Sequence, residues 1–325
     1  MALAIDPALR FKPSTRIENA CATGTAALHA GASEILAHKA RRVLIIGVEH
    51  MSSAEPVQVG KNLLKASYVK EEGLVPGGFA GVFGRIADLY FQRYGDQSDA
   101  LARIAAKNHK NGCANPYAQM RKDLGYEFCR NVSEKNPVVA GPLKRTDCSL
   151  VSDGAAALIL SDWDTAMQAK QAIALRANIQ INDFLPMSKR DIIAFEGCNL
   201  AWRKALAQTN LSLNDLSFVE THDCFTIAEL IEYEAMGLAK PGEGAQLLEE
   251  GVTEMSGRLP INPSGGLKAK GHPVGATGVS MHVLSSMQLM GQAGEMQVKN
   301  AKLGGVFNMG GAAVANYVSI LERLR

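Results

Sequence analysis

Apolar residues along this chain fall into two patterns, stripes at helical spacing and short unbroken runs. The small-residue turn Asn19-Ala20-Cys21-Ala22-Thr23-Gly24-Thr25 opens into a stretch, 26–36, whose apolar spacing predicts a helix. Residues 41–48, with Val43-Leu44-Ile45-Ile46 at their centre, form a continuous apolar run of the kind expected for a strand buried on both faces. A second such run, 152–160, ends at Ser161-Asp162. Between them the pattern loosens: Gly73, Pro76, Gly77, Gly78, Gly112 and Pro116 punctuate amphipathic segments at 86–91 and 100–105. This predicts a partly helical insertion over about 51–145.

The remainder predicts a strand near 172–181, a helix near 198–209, a strand at 216–220 and a helix at 227–236 ended by Gly237. A helix after Gly278 and two strands, 302–307 and 312–321, close the chain. The two ends match. Each has a Gly/Thr turn, a helix and a strand (21–48 against 275–308), then a Gly/Ala-rich strand (154–160 against 311–320). A duplicated α/β fold follows, with one half at 1–165 carrying the insertion and the other at 166–325.

Composition narrows the function. At 325 residues and 47% hydrophobic content the chain can bury a large core. With 34 basic and 32 acidic residues it has no broad footprint for nucleic acid. Six cysteines without a C-x-x-C pair fit free thiols in a reducing compartment. No basic segment followed by an apolar run opens the chain, and no uncharged stretch approaches the ~20 residues that span a bilayer. The expected location is the cytoplasm, without a membrane; mitochondrial or peroxisomal import stays open.

Cys21 is the first candidate for chemistry. A thiol at a helix start faces free N–H groups and the positive end of the helix dipole, which favour thiolate; the rival reading is a small buried hydrophobe. His272, in Gly271-His272-Pro273-Val274-Gly275-Ala276-Thr277-Gly278, sits in a sharp turn with room for a close approach, where a neutral imidazole could take the Cys21 proton. His222 and Cys224, in Thr221-His222-Asp223-Cys224-Phe225, stand where a strand passes into a helix. No further ligand pair completes a zinc set there, and acid–base chemistry fits better, so no metal is expected. Cys113, Cys129, Cys148 and Cys198 lack such surroundings and read as packing residues. The glycine clusters form no dinucleotide fingerprint. Asn308-Met309-Gly310-Gly311 can aim N–H groups at a substrate oxygen or simply turn a hairpin.

Taken with Asp147-Cys148-Ser149-Leu150-Val151-Ser152-Asp153-Gly154 and Asn262-Pro263-Ser264-Gly265-Gly266, these motifs resemble the thiolase family, and H-D-C-F resembles its sterol-carrier-protein-type branch. The resemblance implies a pair of similar halves stacked as αβαβα layers, with a loop domain over bound coenzyme A. It implies Cys21 as acyl-accepting nucleophile, His272 as its activator, His222 as part of an oxyanion hole and Cys224 as general acid/base. Backbone N–H groups of Cys21 and Gly310 would form a second oxyanion hole, and Ser264, Gly265 and Phe225 would contact substrate. Coenzyme A enters as substrate and no resident cofactor is expected. The implied reaction is reversible, ping-pong cleavage of 3-ketoacyl-CoA, a step of fatty acid and lipid metabolism. A decarboxylating ketoacyl synthase and a non-catalytic acyl-CoA-binding or scaffold subunit are the rivals. The implied partners are a second or fourth copy of the chain and a small OB-fold protein. Family members carry a longer stretch ahead of the nucleophile than the twenty residues here, so the first elements of the N-terminal half are expected to be missing, at a cost in stability and solubility.

Overall fold

The computed structural model describes residues 4–324. The first half contains α1 (Thr23–Leu36) and β1 (Arg42–Glu49). The insertion follows as α2 (Pro56–Leu64), α3 (Val69–Glu72), α4 (Gly78–Tyr94), α5 (Ser98–Cys113), α6 (Gly125–Arg130) and the hairpin β2 (Val138–Ala140) and β3 (Leu143–Lys144). Then come β4 (Gly154–Ser161) and α7 (Trp163–Ala166). The second half runs β5 (Ile173–Asn182), α8 (Glu196–Thr209), β6 (Phe218–Glu220), α9 (Thr226–Ala235), α10 (Gly244–Glu249), α11 (Gly266–Lys270), α12 (Val274–Leu289), β7 (Leu303–Gly310) and β8 (Ala315–Arg323).

The matched ends fold alike. β1 pairs antiparallel with β4, as β7 does with β8, and each pair packs on the helix that precedes it. α1 and α12 lie together at the centre, and their first turns share the tripeptide Ala-Thr-Gly, at Ala22-Thr23-Gly24 and Ala276-Thr277-Gly278. The contact explains both glycines. A Cβ on Gly24 would lie 2.5 Å from the Val279 nitrogen, and one on Gly278 would lie 2.3 Å from the Thr25 nitrogen, so neither position has room for a side chain.

The C-terminal sheet has the order β5-β8-β7-β6, antiparallel except for β6–β7. It is covered by α12 on one face and α8 on the other, and β7 and β8 are apolar and buried almost throughout. The main core runs from this sheet into the insertion, joining Trp202, Phe218 and Phe307 to Phe83, Ile86 and Leu101.

The β1 strand does not have two buried faces. Ile45 and Gly47 point inward to α1 and α12, whereas Leu44, Ile46 and Val48 are exposed, as is Ile159 on β4. An unbroken apolar run records that both faces are apolar, not that both are covered. No described helix is long and apolar enough to cross a membrane.

Candidate functional site

Cys21 occupies a tight turn immediately before α1. The turn is held by the Ala22 N–H on the Asn19 carbonyl (3.0 Å), the Thr23 N–H on the Ala20 carbonyl (3.1 Å) and the Thr23 hydroxyl, which accepts from the Asn19 N–H (2.8 Å). The cysteine is buried, and that decides its protonation. Burial pushes the thiol up to about 12, against the lowering effect of the Gly311 backbone N–H directed at it and of its own N–H. The sequence expectation of a thiolate favoured by the helix start is therefore corrected: loss of solvent outweighs the amide dipoles. The amide of Gly311 is aimed at the sulfur, and Gly310 stands next to it at the end of β7, opposite Ala315.

His272 reaches the same place from the other half. Gly271, at φ 107°, turns the chain, and a Cβ there would lie 2.8 Å from the Ser152 hydroxyl. That hydroxyl accepts from the His272 N–H (2.8 Å). The ring Nδ1 lies 2.8 Å from the Thr277 hydroxyl, which gives its single proton to the Pro273 carbonyl (3.1 Å). With that proton on the Pro273 carbonyl Thr277 accepts, which assigns the hydrogen to His272 Nδ1 and the lone pair to Nε2. Burial, followed by the nearby Lys270 charge, lowers this imidazole to about 3.

His222 is fixed in the opposite tautomer. Asn308 Nδ2 donates to the Cys21 carbonyl (3.2 Å), which can only accept, and the same nitrogen lies 2.9 Å from His222 Nδ1. Asn308 Oδ1 accepts from the Thr25 hydroxyl (2.7 Å). Nδ1 of His222 therefore accepts, and Nε2 carries the hydrogen. The two rings meet edge to face, 5.1 Å between centroids, and Nε2 of each is buried without a hydrogen-bond partner in the protein. Burial, then the His272 and Lys270 charges, holds His222 well below the usual imidazole range.

Donor atoms of Cys21, His222 and His272 lie within 4.8 Å of one another, close enough for a metal ion. The tautomers disfavour one. Ligation through His222 Nε2 would move its hydrogen to Nδ1, against the Asn308 N–H that already points there. The same arrangement suits acyl transfer: a thiol, a base facing it and an N–H donor for developing negative charge.

Cys224 is buried beside this group. Its N–H donates to the His222 carbonyl (2.9 Å) and its carbonyl accepts from the Ser149 N–H (2.9 Å). Burial raises its thiol well above the ordinary value, and Cys21 is the foremost of the charges acting on it. Asp223, between the two, serves the frame. Its carboxylate accepts the N–H groups of Leu267 (2.6 Å) and Lys268 (3.1 Å) at the start of α11, and the Asn108 amide (2.8 Å). A Cβ on Gly266 would lie 2.3 Å from that carboxylate. Since α11 leads directly into Gly271-His272, one motif holds the other in place. Burial raises Asp223 to about 7.

Ser264 and Gly265 are engaged within the protein. The Ser264 hydroxyl and N–H are both spent on Glu220 (2.7 and 3.0 Å), and a Cβ on Gly265 would meet the Gly112 backbone at 2.5 Å. Phe225 stacks on Phe83 at 4.4 Å. Cys129 and Cys198 are buried, Cys113 and Cys148 are half-buried, and all six cysteines are free. Asn308, Thr25 and Thr277 were not singled out from the sequence as chemical groups. The signal available was the symmetric Ala-Thr-Gly turn, which contains Thr277 and, at the facing helix start, is followed directly by Thr25.

Comparison with known proteins agrees with this geometry. The family model described as "Thiolase, N-terminal domain" matches residues 3–164, and "Thiolase C-terminal domain-like" matches 181–323. The chain is 34% identical over 314 residues to acetyl-CoA acetyltransferase of Methanothermobacter thermautotrophicus, covering 96% of this chain and 80% of that protein. It is 35% identical over 323 residues to human sterol carrier protein 2, covering 93% of this chain and 57% of that longer protein. Among solved structures, the fold resembles the Ltp2-ChsH2(DUF35) aldolase (TM-score 0.78, 20% identity, 94% of this chain and 78% of that one). It also resembles the monomeric SCP2-thiolase like protein type 1 of Mycobacterium smegmatis (TM-score 0.72, 17% identity, 94% and 61%). With both family models matched in order along nearly all of its length, and relatives bearing the sterol carrier protein 2 name, this chain belongs to the thiolase family.

Proposed function

We propose that the protein is an acyl-CoA C-acyltransferase that cleaves 3-ketoacyl-CoA with coenzyme A, giving acetyl-CoA or propionyl-CoA and a shortened acyl-CoA, and runs the condensation in reverse. The observation that carries this reading is the buried cluster in which donor atoms of Cys21, His222 and His272 lie within 4.8 Å of one another, with the Thr277 and Asn308 contacts assigning a lone pair to His272 Nε2 and an N–H to His222 Nε2.

In the cleavage direction the Cys21 sulfur bonds to C3 of the ketoacyl chain while its proton passes to His272 Nε2. The C3 oxygen takes the negative charge and receives the His222 N–H. Collapse breaks the C2–C3 bond, leaving the acyl group on Cys21 and the electron pair on C2, which takes a proton from Cys224. The Cys224 thiolate then removes the proton of the coenzyme A thiol. That sulfur attacks the acyl carbonyl, and Cys21 leaves and recovers its proton from His272. With Cys21 raised to about 12 and His272 lowered to about 3, the resting site is a neutral thiol beside a neutral imidazole, and the proton moves only as the S–C bond forms. The Cys21 and Gly310 amides would form the second oxyanion hole, around the thioester. Coenzyme A is substrate here, and no resident cofactor takes part. A homo-oligomer and a small OB-fold companion remain part of this proposal.

The test separates the two thiols. Cys224→Ala is expected to accept an acyl group from a simple acyl-CoA on Cys21 and to lose C–C cleavage by about 10²–10⁴-fold. Near-normal cleavage in this variant would remove Cys224 from the mechanism.

A further inference from the structure

Glu232 is a fully buried carboxyl on α9 that the proposed reaction does not use. One oxygen, Oε2, accepts the His222 backbone N–H (3.0 Å) and the Thr221 hydroxyl. The other, Oε1, is buried without a partner in the protein. Among the described residues no cation pairs with it. The three buried lysines of this region are engaged elsewhere: Lys107 with Glu229 (2.6 Å) and the Ile261 carbonyl (2.9 Å), Lys270 with the Ser280 hydroxyl (3.1 Å), and Lys268 with the carbonyls of Arg145 and Cys148. The ionisable groups that do act on or near it are Glu229, Asp223, Cys224 and Cys198, none of which supplies positive charge. An isolated buried carboxylate is strongly disfavoured, whereas the acid form needs no counter-charge. Burial, with Glu229 and Asp223 adding to it, raises this carboxyl well above the ordinary range.

We propose that Glu232 is a positioning residue for the reaction, an uncharged acid whose carbonyl oxygen holds the Thr221–His222 backbone so that the His222 N–H and the Cys224 thiol stand in register with Cys21. The proposal rests on the reading of His222 and Cys224 given above. Its chemistry is specific. A negative charge at this point would oppose formation of the Cys224 thiolate, while an uncharged acid gives the same two hydrogen bonds without that penalty.

Glu232→Gln preserves the acceptor oxygen and the neutral charge, and Glu232→Ala removes the acceptor. We expect Glu232→Gln to retain Cys21 acylation and C–C cleavage within about threefold from pH 6 to 9, with an unchanged pH profile. Glu232→Ala is expected to lower kcat for cleavage by about 10–100-fold, approaching the loss of an oxyanion donor, with little change in the KM for coenzyme A. Difference infrared spectra of wild type against Glu232→Gln at pH 7.5 should show one protonated carboxyl lost, a readout that needs neither turnover nor a stable alanine variant. A 100-fold loss in Glu232→Gln, an alanine variant as active as wild type, or a carboxylate band in the difference spectrum would each overturn the proposal. Acylation of the wild-type protein by acyl-CoA is recorded in parallel. Its absence would defeat the functional reading, and the infrared result would still report on Glu232.

Discussion

The α1–β1–β4 and α12–β7–β8 units share one plan and bury it to different depths. β7 and β8 lie inside a four-stranded sheet between α12 and α8, with Phe307, Val318 and Ile320 wholly enclosed. Among the described residues β1 and β4 pair only with each other, and their outer face shows Val48 at 64% and Ile159 at 67% exposure. The chemistry follows the same divide. In the proposed reaction His222, Cys224, His272 and Asn308 come from the C-terminal half, and Cys21 is the one reacting group carried by the thin α1–β1–β4 unit. Its position is fixed across the divide by the Asn308 amide and by the Gly24–Gly278 helix contact. The proposed nucleophile can thus be positioned by a unit with little core of its own, because that unit leans on a better-packed one.

Equivalent substitutions should expose the contrast most strongly. Ile320→Lys places an unpaired charge in the enclosed sheet and is expected to cost at least about 4 kcal/mol. Ile159→Lys stands on the bare face and should change stability by no more than about 0.5 kcal/mol. Urea unfolding of the two variants measures both, and equal losses would mean that the β1–β4 face is covered in solution. Amide exchange offers a milder comparison. Interior amides of β7 and β8 should exchange only through global opening, and those of β1 and β4 at least about tenfold faster through local opening. Exchange at one common rate would show that the two halves open as a unit.

A smaller effect concerns Cys21 itself. Because burial raises this thiol to about 12, its alkylation by iodoacetamide should climb by about tenfold per pH unit from pH 7 to 10 without levelling. A plateau below pH 8 would mean that the helix start governs the thiol after all, and that the thin half leaves it open to water.

Motif order in the sequence announced the fold and drew Cys21, His222, Cys224 and His272 together, because each motif has a backbone reason to exist: a helix start, a strand end or a glycine turn. The tautomers were not legible. That of His222 depends on Asn308, 287 residues from the Cys21 carbonyl it binds, and that of His272 on the Thr277 hydroxyl; neither side chain carries a local signature of such a contact. The packing role of Ser264 and Gly265 was not legible either. A Ser-Gly-Gly loop looks open to a ligand, yet its small residues are needed because Gly112 and the Asp223 carboxylate pack against it. The apolar run of β1 likewise could not report that its outer face is bare.

The central claim is that the deep half activates a nucleophile held on the thin one, and the acyl group is its direct witness. Intact-protein mass spectrometry after brief mixing with acetyl-CoA, followed by peptide mapping, should find one acetyl group on Cys21 in the wild type and none in Cys21→Ala. His272→Ala should acylate at least about 10²-fold more slowly. An acetyl group on Cys224, or none on the wild-type chain, would contradict the account.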